Sequence, residues 1–234
     1  MPADQFELLV EFTKDEDPKA RAMAIAGLAK LRNPRGFAPV VVTLFDPVDE
    51  VRAVAATALG VFADDRAFEP LVECLNDPSE QVAVNCAWAF GQIPTKRCLD
   101  KLLELIADSQ AAPAVRAAAA TAVGERSELP GSDIATSDAT IERVRVVLLD
   151  AFEEDADDLR AAAVWAAGHL PYDKQTLYAC IDLLEDEHEW VVRYAIEALA
   201  QFKDRAAIEP LEELADSDNE AIRGLAQRAL EMIG

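Results

Sequence analysis

The run EVRAVAATALGVFADDRAFEP at residues 50–70 has an earlier counterpart in the same chain. Arg21, Leu28, Arg35, Phe37 and Pro39 stand 31 residues before Arg52, Leu59, Arg66, Phe68 and Pro70. Five matches at one offset mark a repeated unit, and a unit of this size buries its apolar face only by stacking on its neighbours. Let the basic residue of the "VR" pair be position zero. Arg21, Arg52, Arg116, Arg160 and Arg223 occupy it, with Ala83 in the third copy and Val192 in the sixth, where Arg193 comes one residue late. Position −1 then reads Ala20, Val51, Val82, Val115, Leu159 and Ile222, and position +3 reads Ala24, Ala55, Cys86, Ala119, Ala163 and Ala226. At +6 stand Gly27, Ala58, Ala89, Ala122, Ala166 and Ala229. Seven copies fit the chain.

Positions −1, +3, +6 and +7 are spaced i, i+4, i+7 and i+8, one face of an α-helix, here called helix B. The small residues at +3 and +6 predict close approach of another helix. A second helical pattern, helix A, fills the intervening segments. Phe68, Leu71, Val72 and Leu75 follow it, as do Phe37, Val40, Val41 and Leu44, and also Leu177, Cys180, Ile181 and Leu184. Thr95, Asp173 and Asp204 are placed to cap A helices, and Pro39, Pro70 and Pro210 fall near first turns, where a missing N–H costs least. Gly60, Gly91, Gly124 and Gly168 at +8 read as helix C-termini with positive φ. No run alternates with the period of a strand, so the predicted fold class is all-α.

The run VRAVAATALG followed by DDRAFEPLVECLNDP resembles the HEAT-like repeat of the phycobilisome lyase type, over essentially the whole chain. The resemblance implies a right-handed α-α superhelix of about seven antiparallel helix pairs. It would form a single domain, 1–234, with repeats at 4–32, 34–63, 65–94, 96–128, 140–171, 173–202 and 204–233. At ~8–10 Å between packed helices, the stack would be roughly 60–70 Å long. The resemblance also implies that the basic residues at zero, Arg21, Arg52, Arg116, Arg160 and Arg223, bond to turn acids such as Asp46, Asp77 and Asp108. That ladder would be structural, and interrupted where Ala83 replaces the cation. Such solenoids place helix B on their concave side.

The positions of helix B turned away from its core face, +1, +4 and +5, therefore suggest a binding surface. They read Ala53, Ala56 and Thr57, then Val84, Ala87 and Trp88, then Ala117, Ala120 and Thr121, then Ala161, Val164 and Trp165. Repeats six and seven turn polar there. These twelve residues would line a shallow apolar groove for a protein partner, or for a second copy of the chain, since exposed apolar patches mark interaction sites and Trp is enriched among hot spots. The alternative is that curvature covers both tryptophans with neighbouring repeats. Between repeats four and five the Arg-to-Arg interval widens to 44 residues. The extra segment, 125–140, is rich in turn-forming residues and reads as a surface loop, either overhanging the groove or varying freely.

Chemistry for catalysis is sparse. Deoxyhypusine hydroxylase, a HEAT-like enzyme, shares the VR-x-x-A-x-A pattern but carries repeated His-Glu iron ligands. The matching positions here hold Ala53-Val54, Val84-Asn85 and Tyr194-Ala195, and the chain has 2 histidines. No GxGxxG, GxxxxGK[ST], HExxH or GxSxG occurs. The acidic run EEDADD at 153–158 lacks the glycine and terminal glutamate of a calcium loop and reads as favouring a helix dipole. No cofactor, metal or catalytic residue is expected. A net charge of −22 opposes phosphate backbones and anionic membranes, so neither nucleic acid nor membrane is an expected partner. No segment has the length and apolarity of a signal peptide or membrane span. Four cysteines without CxxC spacing read as core fillers in a reducing cytoplasm. Few lysines beside many arginines, on an acidic chain, resemble a salt-adapted surface, although the family could simply be acidic. The functional expectation is a non-catalytic scaffold or adaptor. The alternative is a lyase-like chaperone subunit handling a bilin or other apolar cofactor, by likeness alone.

Overall fold

The computed structural model describes residues 5–129, 134 and 137–234, and among these it contains fourteen α-helices and no strand. They follow one another as seven pairs. α1 (Gln5–Phe12) precedes α2 (Pro18–Leu31), α3 (Phe37–Thr43) precedes α4 (Asp49–Phe62), and α5 (Phe68–Cys74) precedes α6 (Glu80–Gln92). α7 (Lys96–Ala107) and α8 (Pro113–Glu128) come next, then α9 (Asp138–Asp150) and α10 (Asp157–Gly168). α11 (Lys174–Asp182) with α12 (Glu189–Phe202), and α13 (Ile208–Leu214) with α14 (Glu220–Ile233), complete the series. Odd-numbered helices are the predicted A helices and even-numbered ones the B helices. This is the all-α, solenoid-type pairing the repeat implies. No helix among the described residues is long and apolar enough to cross a membrane.

The chain divides into two compact units, Met1–Leu102 and Leu103–Gly234. In unit 1 the B helices α2, α4 and α6 lie side by side, and α1, α3 and α5 each pack on their own B helix. In unit 2, α8, α10, α12 and α14 lie side by side, with α9, α11 and α13 on their partners. The core comes from the repeated positions. Ala55, Cys86, Ala119, Ala163 and Ala226 at +3 are fully buried, as are Leu28, Leu59 and Phe90 at +7. Val40, Leu71 and Cys180 supply the matching side from the A helices. Each such Val, Leu or Phe contributes roughly 1.5–3 kcal/mol by leaving water.

Three expectations need correction. Positive φ falls on Arg32 (47°), Ala63 (52°) and Lys203 (53°), the residues that end α2, α4 and α12, and not on the +8 glycines. Gly60 and Gly124 lie within their B helices and Gly168 is the last residue of α10, and all three pack closely on the next B helix. A Cβ on Gly60 would stand 2.8 Å from the Trp88 ring and 3.1 Å from Ala89 Cα. A Cβ on Gly124 would stand 2.5 Å from the Trp165 ring.

The segment 125–140 is only partly loop. α8 continues to Glu128 because Arg126 is buried and the Ser127 hydroxyl donates to the Gly124 carbonyl, and α9 already begins at Asp138, with Ser137 accepting from the Thr140 N–H. Ile134 between them is fully buried. The remainder of the predicted loop, 130–133 and 135–136, lies outside the described residues.

Finally, the cysteines are not all fillers. Cys98 and Cys180 are buried thiols, but Cys74 at the end of α5 is joined to Cys86 of α6 in a disulfide. A separation of 12 residues carries no recognised sequence signature; packing of α5 on α6 brings the two together.

Candidate protein-binding face and the arginine rungs

The arginines at zero sit at the starts of B helices, where each can reach both its own repeat and the next. Arg52 is bidentate to Asp77, with Nε 2.7 Å from Oδ2 and Nη2 2.8 Å from Oδ1, while Nη1 donates to the Asp46 carbonyl at 2.9 Å. Arg21 repeats this with Asp46 and the Asp15 carbonyl. Arg160 repeats it in unit 2 with Asp186 and the Glu154 carbonyl. The acceptor acid also receives the N–H two residues on, at Val48, Ser79 and His188, so one carboxylate closes the turn and binds the neighbour.

Three of the predicted ladder residues behave otherwise. Asp108 is not the partner of Arg116: it lies 25 residues after position 83, which is Ala, and its carboxylate accepts from the Gln110 N–H. Arg116 instead takes Glu154, 38 residues on, at 2.6 Å, and donates through Nε to the Ile106 carbonyl. The widened interval moves the next turn acid to 154. Arg223 in the last B helix donates to the Ser217 carbonyl. Two members of the acidic run are thus engaged, Glu154 with Arg116 and Asp157 with Arg160. Among the described residues no group of three or more His, Cys, Asp or Glu could hold a metal.

The twelve residues proposed for a groove are distributed differently from the expectation. Ala56, Ala87, Ala120, Ala161 and Val164 are buried. Ala53, Thr57, Val84, Trp88, Ala117, Thr121 and Trp165 are half-buried, and none is exposed. Small residues let successive B helices within each unit approach so closely that position +4 is sealed between them, as is Ala161 at +1; what remains half open in each unit is a strip through the other +1 residues, +2 and +5. Within unit 1 the Trp88 ring lies against Gly60 of the preceding B helix, and Asn85 stitches the same two helices by donating to the Ala53 carbonyl (3.1 Å) and to Thr57 Oγ1 (3.2 Å). Within unit 2 the Trp165 ring lies against Gly124 and stacks on His169, with ring centroids 4.3 Å apart. His169 Nδ1 is 2.7 Å from the Trp165 carbonyl, which can only accept, so Nδ1 carries the proton. Nε2 faces Glu128 at 3.3 Å.

The exposed aromatic of this strip is one the repeat positions passed over. Trp190, in the first turn of α12, is 49% exposed, with Arg193 over its ring at 4.4 Å and Tyr194 beside it. Extending the helical face one turn towards the N-terminus, 190–193/194–197, would have found it. A second series was visible only as unexplained matches. Arg35, Arg66 and Arg97 stack over Phe6, Phe37 and Phe68 at 4.8, 4.4 and 4.3 Å, a cation–π row on the A side of unit 1.

A family model for HEAT repeats matches residues 6–83, 68–139 and 145–231. The chain belongs to the HEAT-repeat family. Among solved structures, this HEAT-repeat chain is similar to the archaeal HEAT-like repeats protein from Thermococcus onnurineus NA1, at 14% identity and TM-score 0.60, covering 100% of this chain and 98% of that one. It is similar to the CpcE–CpcF complex of phycocyanin lyase from Nostoc sp. PCC7120, at 20% identity and TM-score 0.55, over 98% and 90% of the two chains. It also superimposes on part of Kap95p in its complex with RanGDP, at 15% identity and TM-score 0.70, over 97% of this chain and 35% of that one. At such identities the likeness is one of fold. Among curated proteins none matches the chain.

Proposed function

We propose that this HEAT-repeat chain is a non-catalytic scaffold that holds a protein segment on its B-helix strip, most strongly in unit 2. The observation that carries the reading is Trp190. An aromatic half open to water, braced by Arg193 and Tyr194, sits on the B helix next to the one bearing Trp165. Hot spots favour such anchors, amphipathic and held in place before the partner arrives. Binding of RanGDP by Kap95p illustrates the same use of the fold. With a net charge of −22, and most of it on residues 103–234, a partner segment carrying Lys or Arg beside an apolar anchor fits best, whereas nucleic acid and anionic membranes are repelled. The cytoplasm is the compartment this reading assumes.

The test is affinity capture from the source cells with four baits: wild type, Trp165→Ala, Trp190→Ala and, as a control on the A side, Phe45→Ala. One protein should be retained by wild type and Phe45→Ala and weakened about tenfold or more by Trp190→Ala, a loss of the size expected for a hot spot. Equal capture by all four baits would overturn the reading. A coloured or apolar small molecule that co-purifies with the chain would replace it with the lyase-like chaperone reading.

A further inference from the structure

We propose that Cys74 and Cys86 form a reversible thiol–disulfide lock that ties helix α5 to helix α6 and is worked from the surface through Cys74. The two cysteines stand alone among the repeats. In the preceding copy the same positions hold Thr43 and Ala55, and Ala fills the Cys86 position in five other copies. Their Cα atoms are 6.3 Å apart, inside the range a disulfide spans without moving the backbone.

Access is one-sided. Cys86 is fully buried, whereas Cys74, itself buried at 8% exposure, keeps that small opening on a surface cleft of about 340 Å³ lined also by Phe45, Pro70, Glu73 and Pro78. Cys98 and Cys180 are enclosed, and burial pushes the Cys180 thiol up to about 12, far from the thiolate that exchange requires. Reagents therefore meet Cys74 first. Oxidation by a low-molecular-weight disulfide then balances in two steps. The Cys74 thiol loses its proton and attacks one sulfur of RSSR, forming a mixed disulfide while the departing RS⁻ takes up that proton as RSH; the Cys86 thiol, losing its proton in turn, attacks Sγ of Cys74 and releases the second RSH. A dithiol reverses both steps.

The lock is reversible because the fold does not rest on it. With the bond open, the turn after α5 is still held by Asp77 on Arg52, and the helix by the edge contact of Phe68 on Phe90, with centroids 5.5 Å apart. The two sulfurs thus stay within reach of each other. The pair also stands in the repeat whose position zero is Ala83, the copy without an arginine rung of its own.

The experiment uses the full chain, reduced and desalted, then treated with oxidised glutathione. Thiols titrated after denaturation should fall from 4 to two per chain, and peptide mapping should join residues 74 and 86. The variant Cys86→Ala, which carries the residue of the other copies, should instead retain one glutathione on Cys74. The oxidised protein should melt higher than the reduced protein by roughly 5 °C or more, as expected for closing a short loop, and Cys86→Ala should show no such difference. A thiol titre that stays at four, glutathione on Cys98 or Cys180, or equal melting of the oxidised and reduced wild type would overturn the proposal.

Discussion

Arg52 shows how one side chain joins two copies of a repeat. Its fork meets both oxygens of Asp77, its remaining nitrogen holds its own preceding turn, and both side chains are largely withdrawn from water, at 14% and 8% exposure. The hydrogen bond from Arg52 holds the Asp77 carboxyl below the usual aspartate range, against burial, which pushes it up. A carboxyl depressed in the folded state adds stability above the ordinary pKa of about 3.9, and that increment is lost as pH falls through the lower folded value. Asp77→Asn should therefore cost about 3 kcal/mol near neutral pH by leaving the guanidinium without its anion. The gap in melting midpoint between wild type and variant should close as pH falls below the ordinary aspartate range and through the lowered folded value. A gap unchanged at the acid end would show that the rung adds no ionic stability. Rungs of this kind could be expected from the repeat, but their partners could not all be named. Arg116 takes Glu154, 38 residues on, where Arg52 takes an aspartate 25 residues on, because the segment between its repeat and the next is longer.

At the scale of the element, the B helices are spaced by their glycines and alanines. In α8, Gly124 accepts the Trp165 ring of α10 so closely that even a methyl group would have to displace it. Gly124→Ala should destabilise the protein by about 1–3 kcal/mol through overpacking and shift tryptophan emission to longer wavelength as the ring is pushed towards water. Gly224 in α14 is the internal control, since a Cβ there meets only Arg228 Nη1, at 3.6 Å. Gly224→Ala should stabilise by up to about 1 kcal/mol, because alanine suits a helix interior better than glycine. Thermal melts of the two variants decide the point, and two losses of equal size would show that space at the helix face is not what selects glycine. The periodicity made the helices legible. It also predicted their close approach, but assigned Gly60 and Gly124 as well as Gly168 to helix ends, since a C-terminal glycine and a packing glycine look alike in one dimension.

For the whole molecule the net charge of −22 matters more than any single contact. Like charges crowd the surface of residues 103–234, where acids outnumber bases by more than two to one and several arginines are already engaged in internal rungs. Salt at molar concentration shortens the reach of that repulsion to about 3 Å. The melting midpoint should accordingly be several degrees higher in molar KCl than in dilute buffer; an unchanged midpoint would remove self-repulsion from the stability of this chain. The same field is what makes a cationic segment the partner proposed above, and it is a property of the summed sequence that folding does not alter.

Read alone, the sequence determined the period, the two helices in each copy, the residues at their shared core and the family they define, because helical periodicity and stacking are local and repeat without reference to distance. It also determined the charge. Tertiary structure alone decided which acid each arginine takes, that Cys74 meets Cys86, that the tryptophans at +5 lie against neighbouring glycines, and that Trp190 is an exposed tryptophan while those at +5 are half-buried. Each of these depends on how near one helix comes to the next and on how many residues lie between them. Those distances are set by packing, not by any pattern within a single copy.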